Sequence, residues 1–328
     1  MINHLEVTNK RAKVAKDFLK KNGYLNNKYL PIKRADSILW PLNNIPVNFD
    51  GKVVYCKGLK NNNNTTRDYR SNLSEKIKSF APRSFDVFGN IAILRLKEDL
   101  MQYGKEIAQA LLLSHKNIET VCVDLGVQGE YRLRNLNIIG GKNNFVSVHR
   151  ENGMNFQADI SKVYFSPRLA TERERLSLLV QKKEFVLDAF AGVAPFSISL
   201  AKKGCKLLSL DSNPEAEKWA LKNFSNNGIS ENQYNFYNYK FEEFNFKSGK
   251  FNRIIMNNPT NCLPFLEKAL DLVAVNGIIH FYNISPKNGS FSIEDYINAN
   301  YECIGKREVH PYSPSTSLFV FDIRRNGA

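Results

Sequence analysis

Glu184-Phe185-Val186-Leu187-Asp188-Ala189-Phe190-Ala191-Gly192-Val193-Ala194-Pro195-Phe196 reads as a short apolar strand ending in an acid, a loop of small residues, and the start of a helix. The pattern repeats downstream. Residues 206–210 form a second apolar stretch ending in an acid, Asp211, and a helix is expected over 215–226. A third strand over 253–256 leads into Asn257-Asn258-Pro259-Thr260, then a helix over 262–273 and a strand over 277–284. Strand and helix in alternation predict a doubly wound, mostly parallel α/β sheet, a Rossmann-like domain over 164–328. Ligands of such sheets bind outside the carboxyl ends of the strands, where Asp188, Asp211 and Asn257 fall.

The loop itself restricts the ligand. A dinucleotide fingerprint needs several glycines for close approach of a pyrophosphate, whereas residues 189–195 hold one, Gly192. Backbone N–H groups at the start of the next helix still favour a polar ligand, and Asp211 is placed to accept from two ribose hydroxyls. An adenosine ligand without phosphates fits best, and S-adenosylmethionine is the common one. The competing reading for each acid is a helix cap, and for Asn257-Asn258-Pro259 an ordinary turn.

Upstream of this domain, a middle α/β domain is expected over 67–163. It comprises a helix over 71–80, a strand over 86–95, a helix over 100–114, and further strands near 120–123, 144–148 and 155–159. Gly129-Glu130-Tyr131-Arg132-Leu133-Arg134 alternates as a strand that presents Arg132 and Arg134 on one face. Residues 1–66 form a small basic α/β unit. It has one helix over 8–22, with Val14, Phe18 and Leu19 at helical spacing, and strands near 29–32, 37–40 and 52–55. It ends at the polar linker 61–66, Asn-Asn-Asn-Asn-Thr-Thr.

The 328 residues are 43% hydrophobic and 24% charged, an ordinary globular balance. Five cysteines lie far apart, against a zinc site or disulfide framework and in keeping with a reducing cytoplasm. No stretch approaches the apolar length of a membrane span, and the first residues lack a signal-peptide core. The formal charge is +14, and residues 1–70 hold ten Lys and four Arg against five acids, so +9 lies there. That concentration suits a polyanionic partner such as nucleic acid and, equally, a well-solvated basic surface.

Residues 165–173, Phe-Ser-Pro-Arg-Leu-Ala-Thr-Glu-Arg, together with the loop 188–197, resemble the archaeal/eukaryotic tRNA (guanine-37-N1)-methyltransferase family. Residues 84–86, 129–134, 255–259 and 277–282 extend the likeness over most of 80–285. The resemblance implies transfer of the S-adenosylmethionine methyl group to N1 of guanine 37 in tRNA. Glu172 would be the general base, Arg132 would stabilise charge on O6, and Asn257 would orient the base. It implies a cofactor site of Tyr164, Arg173, Asp188, Phe190, Gly192, Asp211, Ser212, Asn257 and Pro259. It also implies a basic N-terminal domain on the tRNA elbow, a middle domain near the anticodon loop, no metal, and a monomer. Where the family often has an adenine-contacting Asp, this chain has Lys240.

The residue types suit the reaction. Guanine N1 carries a proton that a carboxylate must remove, and the negative charge then gathers on O6, where a cation stabilises the transition state more than the ground state. Bland alternatives stand beside each assignment: Glu172 complementing a helix dipole, Arg132 pairing with Glu130, His280 as a core histidine. Other activities are C7 methylation of the tricyclic wyosine precursor at position 37, alone or in addition, and aminocarboxypropyl transfer to it. A catalytically inactive tRNA-binding protein is the reading outside enzymes.

Overall fold

The computed structural model describes residues 1–47, 49–60, 68–131, 133–246 and 249–327, without the side chain of Lys60. The expected linker at 61–66 and the expected O6 cation, Arg132, lie outside the described residues. The chain divides into two compact units, Met1–Lys78 with Leu113–His115, and Ser79–Leu112 with Lys116–Ala328.

In the first unit β1 (Ile2–Thr8) precedes α1 (Ala12–Lys21), β2 (Ser37–Pro41) and β3 (Lys52–Cys56). The strand Ile32–Lys33, β2, β1 and β3 form an antiparallel sheet in that order. The strand β1 is not visible in the helical reading of residues 8–22, of which Thr8 ends β1 and Asn9–Arg11 form a 3-10 turn before α1. Ala15 and Leu19 turn inward with Leu5, Val7 and Trp40, whereas Val14 is exposed, so the apolar stripe of α1 is narrower than expected. Lys13, Lys16 and Lys20 occupy its exposed side.

In the second unit β4 (Asp86–Phe88), β5 (Ile91–Leu94), β6 (Thr120–Gln128) and β7 (Leu133–Gly141) form a mixed sheet in the order β7-β6-β5-β4. The single strand expected over 86–95 is split by a turn at Gly89, whose φ of +56° a side chain would resist. Helix α2 (Gly104–Ser114) runs close to β7: a Cβ on Gly140 would stand 2.6 Å from the Cβ of Ala108. Of the stretch expected as a strand, 129–134, residues 129–131 form a turn after β6, and Leu133 and Arg134 open β7. A positive φ of +71° at Gly129 bends the chain there. The hairpin of β8 (Val146–Glu151) and β9 (Met154–Asp159) follows. Its outer edge is closed by side chains: Asn223 and Asn227 each exchange a pair of hydrogen bonds with the backbone of Gln157 and Asn155.

Then come α3 (Ala170–Leu179), β10 (Phe185–Asp188), α4 (Pro195–Ala201), β11 (Lys206–Asp211), α5 (Pro214–Asn226) and β12 (Tyr234–Asn238). They continue as β13 (Phe251–Met256), α6 (Leu266–Leu272), β14 (Val273–Pro286), β15 (Tyr301–Pro311) and β16 (Thr316–Arg325). The seven strands lie in the order β12-β11-β10-β13-β14-β16-β15, parallel up to β14 and antiparallel from there. Apolar clusters fill both faces, one with Val186, Leu207 and Ile255, the other with Leu187, Leu208 and Ile254. Central strands buried on both sides read as continuous apolar runs, as these do. The final pair β15 and β16, absent from the sequence reading, supplies Arg307 and Asp322, which bond to Glu172 and Arg175.

Candidate functional site

The parallel strands end together, and their loops are stitched to one another. The N–H of Ala189 donates to the Ile255 carbonyl at 3.0 Å, that of Ala191 to the Leu210 carbonyl at 2.8 Å, and that of Gly192 to Asp211 Oδ2 at 2.8 Å. Gly192 has a φ of +53° and Ala194 one of +65°, so two left-handed residues fold the loop into the start of α4. A cavity of about 270 Å³ opens above it. Tyr164, Phe190, Gly192, Asp211 and Ser212 line it, and so do Arg173, Asn257 and Pro259.

Each lining group is held differently. Asp211 accepts the N–H of Asn213 at 3.0 Å and that of Gly192, leaving further lone pairs toward the cavity. Burial raises its carboxyl pKa, and those two N–H groups pull the other way. Asn257 lines the cavity and keeps a buried Oδ1 with no donor among the described residues. Arg173 is 1% exposed, and its fork is committed to Glu151 at 2.5 and 2.6 Å and to the Ser166 carbonyl at 3.0 Å. Phe165 and Phe196 flank that guanidinium. Burial works against the Glu151 charge, but Arg173 and His149 outweigh it and hold its pKa below the usual range.

Asp188 lies behind the wall. The Ser197 hydroxyl donates to it at 2.7 Å, and burial pushes its carboxyl up to about 7. Lys240 lines a smaller neighbouring hollow with Ser212, Asn238, Tyr239 and Glu243, and pairs with Glu130 at 2.9 Å.

Glu172 is likewise not on the cavity wall. It is fully buried in the first turn of α3, where Oε1 accepts the Tyr282 hydroxyl and Arg175 Nη2, both at 2.8 Å. Its Oε2 accepts from Arg175 Nε and from Arg307 Nη2. Strand register gives the depth. Leu318 pairs with Ile284 and His310, all three on the cavity wall, whereas the next inward-facing row is Val320 with Tyr282 and Arg307. One such row is a step of about 7 Å along a strand.

Behind Glu172 the polar chain continues. Arg175 Nη1 meets Asp322 at 2.9 Å, Asp322 meets His280 Nδ1 at 2.5 Å, His280 Nε2 meets Arg253 at 2.6 Å, and Arg253 Nε donates to Glu184 at 2.9 Å. Because Arg253 donates, Nε2 of His280 accepts and its proton sits on Nδ1. Burial lowers the His280 pKa, and although burial opposes the Asp322 charge, His280 and Arg175 hold that carboxyl far below its usual range. His280 is thus a satisfied core histidine.

Sequence reasoning missed three groups. Arg134 pairs with Asp86 and Asp124 at 3.5 Å and lies over the Tyr164 ring, so it and Asp124 shape one cavity wall. Glu151 anchors Arg173 from 22 residues away, and Arg307 reaches Glu172 from 135 residues away. Only the alternation around Arg134 left a local trace. The other two are long-range pairs between unremarkable charged residues.

The cavity fits S-adenosylmethionine. Asp211 offers ribose acceptors, Asn257 an unused acceptor, Phe190 an apolar wall, and the single-glycine loop no room for a pyrophosphate. No cluster of metal-ligating residues occurs among the described residues, and none of their helices is long and apolar enough to cross a membrane.

Residues 147–302 match the TRM5/TYW2 methyltransferase domain, and residues 68–144 the TYW2 N-terminal domain. The chain is 36% identical over 333 residues to the tRNA (guanine(37)-N(1))-methyltransferase Trm5b of Pyrococcus abyssi, covering 98% of each. The crystal structure of that Trm5b superposes with a TM-score of 0.76 at 34% identity, over the full length of both chains. The complex of aTrm5 and tRNALeu gives 0.72 at 28% identity, covering 98% of this chain and 99% of that one. The resemblance in residues 165–173 and 188–197 thus extends to the whole sequence, and the chain belongs to the S-adenosylmethionine-dependent tRNA (guanine-37-N1)-methyltransferase family, with a Rossmann-like class I domain.

Proposed function

We propose that this chain methylates N1 of guanine 37 in tRNA. The observation that carries the reading is the cavity at the strand ends, lined by eight of the nine residues expected to hold the cofactor, among them Asn257, whose buried Oδ1 has no donor among the described residues. When bound, S-adenosylmethionine supplies a methyl group already activated on a sulfonium. Asp211 holds the ribose, Phe190 and Pro259 pack the adenosine, and Tyr164, Gly192 and Ser212 close the walls. Arg173 shapes the site from its clamp on Glu151, and Asp188 from behind it. Guanine enters beside Asn257, whose amide orients the base edge. Glu172 accepts the N1 proton, so the N1 electron pair is free to attack the methyl carbon as the carbon–sulfur pair returns to sulfur. Arg132 has the role of stabilising the charge that gathers on O6. Alignment of the reacting atoms supplies much of the remaining rate.

The chain acts in three parts in this reading: residues 1–66 on the tRNA elbow, 67–163 beside the anticodon loop, and 164–328 on cofactor and base. It works in the cytoplasm as a monomer. Aminocarboxypropyl transfer to the tricyclic precursor draws support from the match of residues 68–144; the full-length likeness to Trm5b favours methyl transfer.

Glu172→Gln tests the assignment. Turnover should fall by about 100-fold or more while cofactor and tRNA affinities persist. Turnover equal to the parent would remove Glu172 as the base.

A further inference from the structure

Glu172 has no free approach in this structure. Tyr282 is itself fully buried, and Arg175 is tied to Asp322 as well as to Glu172. Arg307 differs. It sits on the edge strand β15, its side chain is 44% exposed, and Glu172 is its one ion-pair partner among the described residues. It therefore covers the solvent side of a carboxylate that is otherwise sealed.

That cover is a single contact, one N–H of Arg307 Nη2 donated to Glu172 Oε2, and it is this one donor that an incoming N1–H would replace. Guanine N1–H and N2–H₂ hang from one carbon, C2, and form a planar donor fork of the same kind as a guanidinium. Carboxylates take such forks in the same way from either source. We infer that Arg307 is a displaceable stand-in for the target base: it occupies Glu172 in the free enzyme and leaves when the guanine edge arrives. The assignment rests on the reading that Glu172 meets the N1–H of guanine 37. Arg307 is then a positioning residue that keeps the carboxylate paired until a matching donor edge competes for it. Adenine offers a bare lone pair at N1 and does not compete.

Displacement has a binding signature. A partner that must be expelled reduces the competent fraction and weakens apparent affinity by that fraction. For a half-exposed ion pair the effect is about fivefold. The experiment compares wild type and Arg307→Met for binding of two tRNAs that differ only in G or A at position 37, with S-adenosylhomocysteine present. The preference for G37 over A37 should rise about fivefold in the variant. An unchanged or reduced preference overturns the proposal, including the case where both tRNAs weaken equally because Arg307 serves a phosphate. Arg307→Lys keeps the charge on a shorter, more strongly hydrated ammonium that holds Oε2 less firmly; should the Met variant not fold, a rise of about twofold in Lys supports displacement and no rise contradicts it. Turnover of Glu172→Gln separates the two readings. A raised G37 preference alongside full Glu172→Gln activity would retire the base and leave the displacement standing.

Discussion

Asp188 shows how one residue can be obvious in sequence and still hide its behaviour. An acid at the end of the first central strand is plain from the pattern, but its burial behind the loop, softened by the Ser197 hydroxyl and by the Ser197 and Phe190 backbone N–H groups, is not. A carboxyl raised to about 7 when folded, against about 3.9 when unfolded, is favoured by folding only while protonated. Its contribution is complete below about pH 4 and is lost as the pH rises to about 7. Asp188→Asn removes that loss, so its unfolding midpoint should gain on the parent between pH 4 and 7 and hold a constant lead above 8. Parallel curves across that range would contradict the burial argument. Glu172 is the converse case: its run, 165–173, is the most specific in the chain, yet nothing local reveals that it lies one strand row behind the cavity with three side chains already on it.

At the scale of elements, the parallel strands other than the edge strand β12 were legible because strands buried on both faces must be apolar throughout and each ends at a turn signal. Residues 301–311 and 316–325 were not. Glu302, Lys306, Arg307 and Glu308 break the apolar pattern of an edge strand, which meets water on one side. Likewise the turn 129–131 reads as strand because alternation continues through it. What these elements build is a buried polar chain from Glu172 to Glu184, in which Arg253 serves His280 and Glu184 at once. Removing one partner from such a chain leaves charge uncompensated, so Arg253→Met should cost about 3 kcal/mol in denaturant unfolding. A loss below about 1 kcal/mol would show that the chain is solvated rather than coupled.

For the whole molecule, the uneven charge is the feature that composition alone displayed. Of +14, +9 lies within the first 70 residues, and α1 carries Lys13, Lys16 and Lys20 on its exposed side. If this unit holds tRNA, changing all three to Gln should weaken binding and flatten the slope of log affinity against log salt by about 2 to 3. An unaltered slope would leave those lysines as a solvated surface. The family and the cofactor follow from the site and the full-length likeness, and the central claim remains the identity of the transferred group and its acceptor. The most direct measurement gives the enzyme S-adenosylmethionine labelled on either the methyl or the carboxyl carbon, with tRNA carrying G37 and, separately, the tricyclic precursor. Mass identification of the nucleoside then reads the product. The account predicts methyl label in 1-methylguanosine at position 37; carboxyl label on the tricycle, with none on G37, would contradict it.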